Sequence, residues 1–69
     1  MQELKDLIYL DLDIAGFTGL STADIVFYMQ DFNFTSSQTK EALVELVVKD
    51  QIVTQVPSGK FKLKKYLPV

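Results

Sequence analysis

The sequence predicts an α+β fold in which three helices are followed by a two-stranded β-hairpin. The composition, 48% hydrophobic and 23% charged, is that of a folded protein. A strong helix-start signal at Thr35 precedes an apolar stripe of helical period, and apolar residues then alternate on both sides of a turn at Pro57-Ser58-Gly59. With 69 residues the chain has room for a single domain, residues 1–69, with one small core.

The first helix is expected over about residues 3–15, although a strand is also considered. The helix would bury five apolar residues: Leu4, Leu7, Ile8, Leu10 and Ile14. Residues 8–14 also alternate apolar residues with others, as a strand would. We favour the helix because the following helices need a packing partner. Gly16 and Gly19 end this segment and open a short connection.

The second helix is expected over about residues 22–30. Ser21 is a good N-cap, since its hydroxyl can accept a hydrogen bond from a free backbone amide in the first turn. Ile25 and Met29 lie one turn apart and should face the core. Asn33, which tolerates left-handed backbone, marks the break that follows.

The third helix and the hairpin complete the predicted fold. Thr35 with Gln38 three residues later forms a capping-box pattern, which opens a helix over about residues 36–49. The core stripe of this helix is Thr39, Ala42, Leu43, Leu46 and Val47. The hairpin, or wing, follows over about residues 52–64. Side chains alternate between the two faces of a strand, so Phe61 and Leu63 should face inward. The residues that should face outward are Lys60, Lys62 and Lys64.

Charge is distributed unevenly along the chain. Residues 1–50 hold all nine acids and three lysines, a net charge of −6, whereas residues 51–69 hold four lysines and no acid, a net of +4. Such separation suggests a localised surface for a polyanion or an acidic partner. Arginine is absent, which removes the side chain best suited to bidentate recognition of guanine or phosphate.

Several classes of function have little support in the sequence. Histidine and cysteine are both absent, so general acid–base, thiol and thiolate-metal chemistry lack their usual groups, and we expect no enzyme, cofactor or metal site. The first residues lack a basic flank, and no apolar run approaches the roughly 18 residues of a membrane span. We therefore expect a cytoplasmic protein that does not insert into membranes.

Four segments of the sequence, taken in order, form a recognisable pattern of spacing. Residues 21–25 open the second helix, residues 37–46 form the helix after it, residues 49–53 lead into the first strand and residues 57–59 form the hairpin tip. This pattern resembles the winged-helix superfamily of the helix-turn-helix class, with the first segment as helix one. The resemblance covers nearly all of the chain but identifies no particular family.

The resemblance implies a DNA-binding transcriptional regulator, with the third helix in the major groove of double-stranded DNA. Base edges would meet Ser37, Gln38, Lys40 and Glu41, with Thr35 and Ser36 near phosphate. The phosphate backbone would meet the wing lysines, Lys60, Lys62, Lys64 and Lys65. Non-functional interpretations stay open, because Gln38 also completes the cap, Glu41 is ordinary helix surface and lysines commonly protect an edge strand.

The alternative is a winged-helix module that binds protein. Its third helix carries Glu41 and Glu45 where DNA-binding members are usually basic, and Gln51 stands where many relatives have glycine. Val44 and Val48 lie one turn apart on a face that should be wet, which suggests contact with a partner or with a second copy in a homodimer. The partner could be a basic nucleic-acid-binding protein that the module inhibits. Burial of these valines within the chain itself is the other interpretation.

Overall fold

Three helices precede an antiparallel β-hairpin in the computed structural model, which describes residues 1–67. The helices and strands are α1 (Gln2–Ala15), α2 (Thr22–Gln30), α3 (Ser36–Val48), β1 (Val53–Gln55) and β2 (Phe61–Leu63). Short 3-10 helices follow α1 at Gly16–Thr18 and β2 at Lys64–Tyr66. The predicted α+β arrangement is thus confirmed, and residues 8–14 are helical. None of the described helices is long and apolar enough to cross a membrane.

Reciprocal capping boxes start both α2 and α3. At α3, the Thr35 hydroxyl accepts from the Gln38 amide at 3.1 Å, and the Gln38 side-chain oxygen accepts from the Thr35 amide at 2.9 Å. At α2, Ser21 and Asp24 make the same pair of bonds, at 3.1 and 3.4 Å. Each box satisfies amides that have no partner inside their helix.

A left-handed residue ends the segment that contains α2. Asn33 has φ of 66°, and the Phe34 amide beyond it donates to the Met29 carbonyl at 3.3 Å. This is the hydrogen bond of a Schellman motif, in which the residue after the helix turns the chain sharply. The prediction of left-handed backbone at Asn33 is confirmed, and the turn brings α3 back across the core.

The core contacts of α1 differ from those predicted. The buried row is Leu4, Ile8 and Leu12, with residues four apart. Leu10 is 53% exposed and Ile14 is 76% exposed, so their predicted burial is wrong. The reason is tertiary, because α3 and β2 pack against the face of α1 that carries the buried row. Sequence periodicity allows either row to face inward.

The other elements supply the predicted core. Ile25 and Met29 of α2 are fully buried. The buried stripe of α3 is Thr39, Ala42, Leu43 and Leu46, with Val47 half-buried beside it. Thr39 is satisfied inside the core because its hydroxyl donates to the Thr35 carbonyl at 2.9 Å. The cores of α2 and α3 could be predicted because their buried residues repeat at the spacing of a helix.

The two strands of the hairpin are shorter than predicted, but backbone hydrogen bonds between them continue beyond the ends of the strands. Val53 pairs with Leu63, and Gln55 pairs with Phe61. One step beyond the strands, the Lys64 amide donates to the Ile52 carbonyl at 3.0 Å, and the Val56 amide donates to the Lys60 carbonyl at 2.9 Å. Phe61 and Leu63 are buried, which confirms the inward face of β2.

The connection before α2 joins the other edge of β2. Leu20 and Phe61 exchange two backbone hydrogen bonds, at 3.0 and 2.7 Å, as an antiparallel bridge. Phe61 therefore has pairing partners on both sides, in β1 and at Leu20. This bridge ties the start of the helix pair α2–α3 to the hairpin.

A buried lysine links α1 to the end of α3. The Lys5 ammonium lies 2.9 Å from a Glu45 carboxylate oxygen and 3.0 Å from one of Asp50, while the residue is 8% exposed. Hydrogen bonding to Glu45, then to Asp50, raises the pKa of Lys5 above its usual 10.5. The two carboxylates that accept from the ammonium offset part of the desolvation that its burial costs.

Candidate nucleic-acid interface

The N-terminal half of α3 presents a polar surface to solvent. Ser37, Gln38, Lys40 and Glu41 are exposed, because they lie on the helix away from the buried stripe. Gln38 is restricted by the cap, since its side-chain oxygen already accepts from Thr35. A glutamine reads adenine through both its oxygen and its nitrogen, so the capped Gln38 can offer DNA its NH₂ group as donor.

Thr35 and Ser36, at the start of α3, have polar groups that remain available for an outside partner. Thr35 is exposed and Ser36 is half-buried. The Thr35 hydroxyl accepts from the Gln38 amide, so its proton stays available for a phosphate oxygen. Both residues lie where the positive end of the helix dipole favours an anion. Thr35 and Ser36 therefore remain candidates for the predicted phosphate contact.

The third helix is less acidic at its surface than its sequence suggests. Glu45 turns toward α1, where its bond with Lys5 holds the pKa of this carboxyl below its usual 4.5. Lys40 and Glu41 then balance each other on the exposed N-terminal half. Sequence reasoning could not find the Lys5–Glu45 contact, because the two residues lie far apart in the chain.

The outward lysines of the hairpin lie over the connection between α1 and α2. Lys62 stands opposite Thr54 on the face away from Phe61. A Cβ placed on Gly19 would lie 2.9 Å from Cγ of Lys62 and 3.4 Å from Cβ of Lys60. The aliphatic stems of both lysines thus cover Gly19, and both residues remain half-exposed. The structure brings these two predicted site residues together.

The last two predicted lysines leave that surface. Lys64 is exposed but begins the second 3-10 helix, so it does not share the strand face predicted for it. The Lys65 ammonium lies 3.0 Å from a carboxylate oxygen of Asp13 and 5.5 Å from the centre of the Tyr9 ring. Hydrogen bonding to Asp13 raises the pKa of Lys65 above 10.5. Lys65 is therefore held against α1, away from the other lysines.

Asp13 is also bound by the ring hydroxyl of Tyr66. The hydroxyl donates to the carboxylate of Asp13, and this bond, followed by that of Lys65, lowers the pKa of Asp13 below its usual 3.8. The Tyr66 ring stacks edge-on against Phe17 at 5.1 Å. Together these contacts fasten the second 3-10 helix to the end of α1.

An apolar groove separates the exposed face of α3 from the hairpin. Its volume is about 350 Å³. It is lined by Thr22, Lys40, Leu43, Val44, Val47, Val48, Gln55 and Phe61. Val44 is 59% exposed and Val48 is 67% exposed, so the interpretation that they are buried within the chain is wrong. The periodicity of α3 indicated the valines, but the opposite wall comes from β1 and β2 and needed the tertiary structure.

Comparison of the chain with protein-family models, with curated proteins and with solved structures finds no match. The functional argument therefore depends on the side chains themselves. They form three surfaces: the polar half of α3, the lysines above Gly19 and the groove lined by Val44 and Val48.

Proposed function

We propose that this protein is a small winged-helix DNA-binding protein, a transcriptional regulator that places α3 in the major groove and the hairpin lysines on the phosphate backbone. The observation that carries the proposal is the exposed polar half of α3, Ser37 to Glu41, which a reciprocal cap presents at the N-terminus of the helix. The order of three helices and a hairpin is compatible with a winged-helix layout. A helix end with exposed polar side chains is the part that enters a major groove in this class.

Different side chains would contact the bases and the phosphates. Lys40 and the NH₂ group of Gln38 can donate to base edges, and Glu41 can accept from the amino group of cytosine. Lys60 and Lys62, which lie together over Gly19, neutralise phosphates, which gives affinity and position but no sequence information. Lys65 contributes less, because its charge is already matched by Asp13.

Two matched lysine substitutions test this proposal. Fluorescence anisotropy of a labelled mixed-sequence duplex is measured over a salt series with the native chain, Lys62→Gln and Lys65→Gln. Both substitutions remove one positive charge, so net charge is held equal between them. We expect Lys62→Gln to weaken binding and to reduce the salt slope by about 0.9, the value for one lost phosphate contact. Lys65→Gln should change the slope little.

The same titration can overturn the proposal. Absence of binding by the native chain at low salt would contradict it, and so would equal losses for the two variants. Equal losses would mean that net charge, and not the hairpin surface, attracts the duplex. Circular dichroism of each variant establishes that the fold is retained.

The apolar groove supports a second candidate, a protein-binding module. Exposed valines beside Glu41 suit a protein partner better than a phosphate backbone. The partner would be a basic nucleic-acid-binding protein that this chain inhibits, or a second copy in a homodimer. Sedimentation equilibrium of the native chain and Val44→Asp tests the homodimer. A dimer that persists in Val44→Asp would exclude this groove as the dimer surface.

A further inference from the structure

The outer face of α1 carries an apolar row that is largely uncovered in the described structure. Leu7, Leu10 and Ile14 follow spacings of three and four, which place them on one side of the helix. Leu7 is half-buried, while Leu10 and Ile14 are 53% and 76% exposed. Since the opposite side of α1 already packs in the core, this helix is apolar on two sides. A surface helix of a single small domain needs one apolar face.

The row borders a cleft between α1 and α2. The cleft has a volume of about 250 Å³ and is lined by Asp11, Ile14, Ala15, Leu20 and Tyr28. Ile14 belongs both to the exposed row and to the cleft wall. An apolar side chain from another molecule could therefore enter the cleft while its neighbours cover Leu10.

A carboxylate without a counter-ion stands in this cleft. Partial burial raises the pKa of Asp11 above its usual 3.8. Among the described residues, no side chain makes a hydrogen bond or an ion pair with Asp11, whereas Asp13 two residues later is bound by Lys65. A cation brought to Asp11 from outside would gain an ion pair with a group that is already partly desolvated.

The charges on α1 determine which sign of charge a partner should carry. The helix carries four acids, and since Lys65 pairs with Asp13, the other three are Glu3, Asp6 and Asp11. Its single lysine, Lys5, is turned inward to Glu45 and Asp50. A second copy meeting this face through a two-fold axis would bring the same acids against it, because an isologous contact uses the same patch twice. A basic partner is therefore electrostatically favoured.

We propose that the outer face of α1 docks a basic amphipathic helix of a partner protein, whose apolar side chains cover Leu10 and Ile14 and whose lysine or arginine pairs with Asp11. The helical form of the partner follows from the spacing of the row, which matches the seam of two packed helices. This surface is separate from the polar half of α3 and from the hairpin lysines. A regulator could thus contact DNA and a partner at once.

A pair of synthetic peptides serves as the probe. One has leucine at heptad positions a and d and lysine at the remaining positions, and the other has glutamate in place of each lysine. Labelled peptide is titrated with the full chain and followed by anisotropy. We expect the lysine peptide to bind, the glutamate peptide to bind at least about tenfold more weakly, and added salt to weaken binding.

Three substitutions locate the contact. Ile14→Ser should weaken binding of the lysine peptide about tenfold, because a buried isoleucine contact is lost. Asp11→Asn should weaken it less and reduce its salt dependence. Val44→Ser removes an exposed valine from α3, outside the proposed contact, and should leave affinity unchanged. All three positions are at least partly exposed, and circular dichroism verifies that each variant folds.

Several results would overturn the proposal. It fails if the lysine peptide does not bind, if both peptides bind equally, or if Val44→Ser and Ile14→Ser have the same effect. It also fails if sedimentation shows that the native chain is a dimer that Ile14→Ser dissociates, because the face would then be covered by a second copy. A native monomer that binds the lysine peptide through Ile14 and Asp11 supports it.

Discussion

At the scale of single residues, Gln51 adopts a backbone conformation that suits glycine better than glutamine. Its φ is 57°, three residues after α3 ends at Val48. The turn around it is fixed by hydrogen bonds, since the Asp50 amide donates to the Glu45 carbonyl at 2.8 Å and the Ile52 amide donates to the Leu46 carbonyl at 3.1 Å. A glutamine at this position therefore leaves the turn in place and adds strain to it.

Gln51→Gly should stabilise the protein. Removal of the strained Cβ gains more than the added flexibility of the unfolded chain costs, so we expect the free energy of unfolding to rise by about 0.5–1 kcal/mol. Urea denaturation measures the change. Gln55→Gly is the matched control, because Gln55 is exposed in β1 without a positive φ and its replacement should lower stability. A lower stability for Gln51→Gly would contradict the strain argument.

At the scale of elements, the bridge between Leu20 and Phe61 depends on the absence of a side chain at Gly19. A Cβ there would lie 2.7 Å from the carbonyl oxygen of Phe61, and the φ of Gly19 is 72°. The contact would be with backbone, which cannot rotate away. The connection before α2 can approach β2 this closely because residue 19 is glycine.

Gly19→Ala should therefore separate this connection from the hairpin. We expect a loss of about 2 kcal/mol or more, from the clash and from the left-handed backbone. Gly59→Ala is the control, because Gly59 also has positive φ but a Cβ there would meet open space. The control should lose only about 1 kcal/mol, the cost of the backbone alone. Equal losses in thermal unfolding would show that the close approach to Phe61 does not matter.

Local signals explain which elements could be predicted from sequence. The cap at Thr35, the helical spacing of the α3 core stripe and the alternation around Phe61 each involve neighbours in the chain, and the structure agrees with them. The orientation of α1 could not be predicted, because both sides of it are apolar and the choice depends on α3 and β2. The same holds for the candidate site. Lys65 belongs to the basic segment in sequence, yet its partner Asp13 lies on α1.

At the scale of the whole molecule, ion pairs join parts of the chain that are distant in sequence, and one of them joins the basic region to the acidic one. Lys5 connects α1 with Glu45 of α3 and with Asp50, and Lys65 connects the second 3-10 helix with Asp13 of α1. Acids of the N-terminal region are thus partly neutralised within the fold. The pair of Lys65 with Asp13 crosses the division at residue 50, so one positive and one negative charge of the two regions are matched in the fold.

The Lys5–Glu45 pair should make stability depend on pH at the acid end. Because the pKa of Glu45 is lowered in the folded state, its contribution is present above about pH 4.5 and is lost as the pH falls through the lowered value. Between about pH 7 and pH 3, the melting temperature of the native chain should therefore fall further than that of Glu45→Gln. Glu41→Gln, at an exposed position of α3, should keep the native slope. Parallel curves for the native chain and Glu45→Gln would contradict the assignment.

The bond between Tyr66 and Asp13 also bears on the order and duration of folding. It joins residues 53 apart in sequence, whereas the capping boxes and the α2–α3 turn close over a few residues. Long-range closure costs more chain entropy, so this contact should form after the folding transition state. In stopped-flow experiments, Tyr66→Phe should accelerate unfolding and leave the folding rate nearly unchanged, while Ala42→Gly in α3 should slow folding. The lifetime of the folded state is then controlled by a tyrosine near the end of the chain, far from the residues that start its folding.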